Sequence, residues 1–503
     1  MQILNHDYPI SHEEKFVRYK IEKRLAPNKY KIPHRFEPKI NKIELAKLII
    51  NEFNELILSY LLFEIKNIIK EDIFKIIRKQ EKLKDKITQI YNNLKIRYKA
   101  LFDRPCEYGV FSGILGGFLP KKEKCTGCLR CWQEYPNVVR IYYNKEYLKM
   151  EDSLNFLGLK LNEFFMILCE AETGEELVKG MGYKGPYAGS FWDGIWLDMS
   201  EIVRPTRDGK EGREYISTVV DIGKKLKYFD LNNKNNVFSI QIPIFFDYLE
   251  DYNYRIIQSI AFAAKECSTF AILPLKYYKS LKLDSIIPLI RFNEIKEVDE
   301  NKVIEILFEN NFDELKIIRE KYKDKILIIR VKADEKLEDN IINLYKIGID
   351  AIHIEFSING LDFTKERKNA KYVIRKVHNV LLKNGIRNEI SILGSGGINL
   401  AEHVVKAMIC GLDCVGINSV VHLALQSKME ITNGKIIFKP RKIDVEWGKQ
   451  RLMNLLAAWH EQIIEALSAM GKRDVRRLRG DIGRAIFYEE IRKEVFADIK
   501  KAF

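Results

Sequence analysis

Between residues 240 and 418 the chain alternates eight short, continuous hydrophobic runs with spacers of helical pattern. The runs are IQIPIFF (240–246), TFAILP (269–274), IIPLIRF (286–292), VIEILF (303–308), ILIIRV (326–331), AIHIEF (351–356), EISILG (389–394) and DCVGIN (413–418). Unbroken apolar runs of this length suit parallel strands buried on both faces. Eight strand–helix units in about 200 residues predict an α/β chain with a (β/α)8 TIM barrel, and a doubly wound sheet is the competing arrangement.

A barrel holds its ligands at the C-terminal ends of its strands, with phosphates often taken by the loops after strands seven and eight. The seventh run passes into Gly394, Ser395, Gly396 and Gly397 ahead of a helix, and the eighth into Gly416, Asn418 and Ser419. Glycines let backbone approach a phosphate, and a helix N-terminus offers free N–H groups and a favourable dipole. These seven residues are the predicted cradle. On the sixth strand His353 and Glu355 are two apart and face the same way. They are either acid–base groups at the mouth or a buried polar pair. Arg330, alone in the fifth run, needs an acidic partner such as Glu305 or Glu355 if it is buried.

Four of the eight cysteines lie in PCEYGVFSGILGGFLPKKEKCTGCLRCWQEYPNV, residues 105–138. Cys125, Cys128 and Cys131 form the C-x2-C-x2-C half of a bacterial ferredoxin motif, whose usual continuation is x3-C-P. Here Tyr135 stands at the fourth position, before Pro136. Cys106, 19 residues upstream, is the predicted fourth ligand of a [4Fe–4S] cluster. A [3Fe–4S] cluster on three cysteines is the alternative, and a zinc-filled or degenerate site the bland one. Cys169, Cys267, Cys410 and Cys414 lie in apolar runs and read as core thiols.

Around these segments the chain divides into residues 1–102 (an extended arm and a charge-laced helical segment), 103–150 (a small ferredoxin-like iron–sulfur module) and 151–235 (a glycine-rich passage). The barrel occupies 236–442 and closing helices 443–503. The first 16 residues carry charges and a proline where an export signal needs an apolar run. No stretch reaches the 18 or so apolar residues of a membrane span. A cytoplasmic protein is expected. The net charge of +14 is spread along the chain without a nucleic-acid-binding motif. It suits an acidic electron carrier or phosphate-bearing ligands equally well. No G-x-G-x-x-G follows any strand, so direct dinucleotide use is not expected. The oligomeric state, a homo-oligomer included, is left open.

The segment GSGGINLAEHVVKAMICGLDCVGINSVVHLAL resembles the FMN-binding end of the glutamate synthase family barrel. DMSEIVRPTRDGKEGREYIST and MGKRDVRRLRGDIGRAIFYEE are similar to segments of its archaeal-type, stand-alone members, and the resemblance runs from about Met181 to Tyr488. It implies FMN in the barrel, iron–sulfur centres passing electrons to it, and 2-oxoglutarate with ammonia as the small-molecule substrate. Ferredoxin or a separate reductase would be the donor. The family's strand-five lysine falls at Arg330, with Lys332 two residues on, and in that reading Arg330 meets the flavin's N1/O2 edge. The arginines of RPTRDG (Arg204, Arg207 and, further on, Arg213) with Asp208 suit phosphate or carboxylate binding.

The departures are specific. After strand four the chain has ENNFDELKI where the family has a glycine-rich loop, and after strand six FSINGLDFTK in place of GGTGA. Leu425, Gln426 and Ser427 stand where the family's own cluster cysteines follow strand eight. Two other outcomes therefore accompany the glutamate synthase-like reading: an iron–sulfur flavoprotein with another substrate, or an electron-transfer subunit without catalysis.

Overall fold

The computed structural model describes residues 19–68, 92, 106–112, 118–175, 191–199, 216–225, 236–298 and 300–496. The continuation of the N-terminal helical pattern to Phe102 lies outside them, as does most of the glycine-rich passage with Arg204, Arg207, Asp208 and Arg213. The chain forms two compact units, one of Lys31–Glu151 and one of Met1–Tyr30 with Asp152–Phe503. The helical segment and the cysteine segment therefore share one unit.

In that smaller unit β1 (Phe36–Ile40) pairs antiparallel with β2 (Val139–Tyr143). Val139 and Ile141 alternate inward along β2, as a half-buried strand requires. They meet Leu45 of the helix Lys42–Ile68, and with Cys106, Val110, Phe111 and Cys131 they build a small core.

The larger unit is the barrel. Before it, β3 (Ile195–Leu197) is followed by a hairpin of β4 (Val220–Lys224) and β5 (Asn236–Ile240). The eight barrel strands are β6 (Ile244–Phe246), β7 (Ala271–Pro274), β8 (Ile286–Ile290) and β9 (Val303–Leu307), then β10 (Ile326–Lys332), β11 (Ala351–Glu355), β12 (Ser391–Ser395) and β13 (Cys414–Ile417). Each is parallel to its neighbours, and β13 closes on β6. Six lie inside the predicted runs, and β10 and β12 extend one residue beyond theirs, to Lys332 and Ser395.

The β4–β5 hairpin meets the N-terminal ends of the strands. Gly223 N–H donates to Ser391 Oγ at 3.1 Å, and Asn236 Nδ2 to Lys325 O and Asp350 Oδ1, each at 3.2 Å. Ligand access is therefore left to the C-terminal mouth. Beside the mouth, β14 (Lys428–Thr432) and β15 (Lys435–Lys439) form a second hairpin, turning through Asn433 and Gly434 at positive φ.

Asp444 caps the long helix Val445–Ala469 by accepting from Trp447 N–H. Its fully buried Arg451 donates to Ala424 O (2.6 Å), Ala26 O (2.7 Å) and Asn28 Oδ1 (2.9 Å), which fixes residues 19–30 as an extended strap on this unit. The tail departs from the expected run of helices, because β16 (Ala485–Phe487) pairs antiparallel with β3. Its run AIF is short and flanked by charge, too weak a signal to read as a strand.

Candidate active site

The centre of the barrel is polar where a core of aliphatic layers would be ordinary. Arg330 on β10 donates through Nε to Glu305 Oε1 on β9 at 2.8 Å and through Nη2 to Asp247, which follows β6. Glu305 Oε1 also meets His353 Nδ1 on β11 at 2.7 Å, and His353 Nε2 lies 2.9 Å from Ser395 Oγ on β12. Ser395 hydrogen-bonds Asp247 in turn. Five side chains thus close a ring.

Burial alone would raise the Asp247 and Glu305 carboxyls, but the Arg330 guanidinium, His353 and the hydrogen bonds they accept together outweigh it and hold both below the usual range. Burial opposes the Arg330 charge, yet the two carboxylates keep its pKa above the ordinary value. The layer is completed by a close fit. Phe245 stands edge-on to His353 at 5.3 Å, and a Cβ at Gly416 would come within 2.8 Å of the Phe245 ring.

Above this ring opens a cavity of about 390 Å³, within the roughly 300–1,000 Å³ of small-molecule sites. Asp247, Arg330 and Ser395 line it from the network, and Glu355, Asn359 and Asn418 from the ends and loops of β11 and β13. Tyr248, Phe356 and Phe363 supply aromatic walls, and Arg367 and Lys435 supply cations. Lys332 is exposed beyond the network, its Nζ 5.7 Å from the Phe363 ring. His353 and Glu355 do share a face of β11. His353 is fully buried in the ring and Glu355 lines the cavity one layer higher.

Of the seven predicted cradle residues, Ser395 and Asn418 line the cavity. The others are engaged by protein. Gly396 and Gly397 have φ of 107° and 74°, and a Cβ would strike Phe356 O at 2.7 Å and Gly360 Cα at 2.5 Å respectively. Gly397 N–H donates to Ile358 O at 3.2 Å, Ser419 N–H to Asn418 Oδ1 at 2.7 Å, and Ser419 Oγ to Asn399 Oδ1 at 2.6 Å. Gly394 is packed under Leu412, 2.7 Å from where its Cβ would be. Ser395 and Asn418 are thus the cradle residues that reach the mouth, while Gly396 and Gly397 serve the close approach of the loop after β11.

The smaller unit gathers the other candidate group. Cys106, Cys125, Cys128 and Cys131 are free and line one cleft with Gly127 and Leu129. Gly127 has φ of 74°, and a Cβ there would overlap the Phe36 ring at 2.4 Å, so only glycine makes the turn between the first two cysteines. Gly127 N–H donates to Cys125 and Trp132 N–H to Cys131. Burial, followed by the neighbouring thiols, pushes Cys131 up to about 11, and Cys125 is raised the same way. Thiols that discourage one another's ionisation form thiolates together when a cation draws them. Tyr135 packs against the small core beside them.

Asp247, Asn359, Arg367 and Lys435 escape the sequence reading. The signal for Asp247 was an acid just past the first apolar run, at the end where barrel sites form. Arg367 and Lys435 sit in loops whose shape no periodicity encodes.

A family model described as a conserved region in glutamate synthase matches residues 369–473, a span that holds β12, β13 and their loops. An archaeal glutamate synthase (NADPH) of Methanocaldococcus jannaschii is 35% identical over 118 residues, 22% of this chain and 23% of that protein. An archaeal-type glutamate synthase (NADPH) of Dehalococcoides mccartyi is 23% identical over 448 residues, 72% of this chain and 86% of that protein. The archaeal glutamate synthase (NADPH) of Archaeoglobus fulgidus is 24% identical over 457 residues, 71% and 85% of the two chains.

Proposed function

We propose that this chain, similar to archaeal-type glutamate synthases over most of its length and to a conserved region of glutamate synthase over residues 369–473, is an iron–sulfur flavoprotein oxidoreductase that reductively aminates 2-oxoglutarate. The reaction takes up 2-oxoglutarate, ammonium, two electrons and two protons and yields glutamate and water. Asn418, Ser395 and Arg330 at the mouth would hold FMN, which would supply the hydride chemistry. A [4Fe–4S] cluster on Cys106, Cys125, Cys128 and Cys131 supplies electrons. The relatives' names specify NADPH. Among the described residues no strand is followed by G-x-G-x-x-G, so the donor in this reading is ferredoxin or a reductase subunit.

The observation that carries the reading is the cavity floor. Ammonia adds to the keto carbon, and the resulting amino alcohol must lose water, which needs a proton at the departing hydroxyl. Ser395, which lines the cavity and is hydrogen-bonded to Asp247 and to His353 across 2.9 Å, gives that proton, and the network behind it resupplies it. Glu305, 2.7 Å from Nδ1, holds the imidazole in place, and Arg330 fixes Glu305. Glu355, beside the same cavity, is positioned to take a proton from the incoming ammonium.

For the cysteine site, the C-x2-C-x2-C spacing with Cys106 in the same cleft favours a cluster over zinc. The test is anaerobic incubation with 15N-ammonium, 2-oxoglutarate and chemically reduced ferredoxin. Formation of 15N-glutamate supports the reading. Flavin that is reduced but makes no glutamate would shift it to an oxidoreductase for another substrate, the outcome favoured by FSINGLDFTK after strand six.

A further inference from the structure

The mouth cavity has one wall built of donors. Arg367, in the loop after β11, and Lys435, beside the tip of the β14–β15 hairpin, both line it and are exposed. Neither side chain has an ion-pair partner among the described residues. Arg330, the third cation at the cavity, has its charge cancelled by Asp247 and Glu305, so it offers little to a second anion. Two buried amides complete the wall. Asn359 accepts from Ser357 Oγ through Oδ1 at 2.7 Å, and Asn418 accepts from Ser419 N–H through Oδ1 at 2.7 Å. Each keeps its NH2 end for the cavity. The acceptor without an ion-pair partner among the described lining residues is Glu355.

Two free cations and two amide donors against one free carboxylate describe a site for an anion that also carries a hydrogen-bond donor. We propose that Arg367 and Lys435 read the carboxylate remote from the reacting carbon, making the loop after β11 and the β14–β15 hairpin the elements that select a dicarboxylate. This rests on the oxoacid reading above and assigns its specificity to residues of this chain's divergent loops. A guanidinium fork binds carboxylate in two parallel hydrogen bonds and an ammonium as a point charge. Arg367 therefore sets orientation and Lys435 adds attraction.

The experiment is calorimetric titration of the full-length, cofactor-loaded protein with 2-oxoglutarate and with 2-oxobutyrate, which lacks the second carboxylate. The proposal expects 2-oxoglutarate to bind about tenfold or more tightly than 2-oxobutyrate. It expects Arg367→Ala and Lys435→Ala each to remove most of that preference while leaving 2-oxobutyrate binding and flavin content unchanged. Arg367→Lys should restore part of it. Both residues are exposed, so the variants keep the fold. Equal affinity for the two acids, binding of neither, or a double variant that still prefers 2-oxoglutarate would overturn the proposal. Charge-dependent selectivity without glutamate formation would uphold this assignment and remove the glutamate synthase reading. Glutamate formation with an unchanged KM in the double variant would do the reverse.

Discussion

Arg330 Nε donates to Glu305 Oε1 at 2.8 Å in the centre of the barrel, with both side chains almost wholly removed from solvent. The same guanidinium holds Asp247. One cation thus neutralises two buried carboxylates on different strands, and its removal strands both.

Arg330→Ala is accordingly expected to cost about 3–5 kcal/mol of stability, the usual penalty for breaking a buried ion pair. Urea unfolding of the larger unit's signal measures it. Arg330→Lys keeps the charge but cannot span both acids with a rigid fork, so an intermediate loss is expected. A Lys variant as stable as wild type would show that charge alone is required.

Ser395→Ala removes the hydroxyl between His353 and the cavity. A fall in kcat of about 100-fold with little change in KM for 2-oxoglutarate is expected, the lower range for loss of an acid–base step. Ser395→Thr keeps the hydroxyl and should recover most of the rate. Equal damage from both variants would mark Ser395 as a packing residue.

The barrel was legible in the sequence because two-sided burial leaves so plain a trace. Every one of the eight apolar runs became a strand, and Arg330 and Glu305 stood out as charges inside such runs. The cavity's recognition groups were not legible. Arg367 lies in a loop and takes φ of 51°, and Lys435 reaches the mouth through a hairpin that folds back after β13, so their neighbours depend on tertiary geometry. Ser395 was read as a phosphate ligand from its place among glycines. Only the three-dimensional register of β11 with β12 puts it within hydrogen-bonding distance of His353.

Cys106→Ser tests the fourth ligand. Wild type is expected to carry about four irons per chain and the variant about three, with the paramagnetic signature of a [3Fe–4S] cluster. Iron content and electron paramagnetic resonance decide it. An unchanged [4Fe–4S] spectrum would place the fourth ligand elsewhere.

His422 gives a pH dependence of known sign. It stacks on Phe438 with centroids 4.2 Å apart, and burial pulls its pKa down to about 3. The unfolded chain takes up the proton near pH ~6.5, so the unfolded state binds it first and stability rises with pH. This contribution is complete above about pH 6.5 and is lost at about 1.4 kcal/mol per unit as pH falls toward 3. Urea midpoints of wild type and His422→Phe between pH 7 and 4 should diverge in slope, the variant being less acid-sensitive. Parallel curves would contradict it.

The most direct test of the account is the absorption spectrum of anaerobically purified protein, with released flavin identified by chromatography and iron counted. The account expects FMN and about four irons per chain, both bleached by reductant. Iron without flavin, or flavin without iron, would contradict a barrel supplied with electrons by its own cluster.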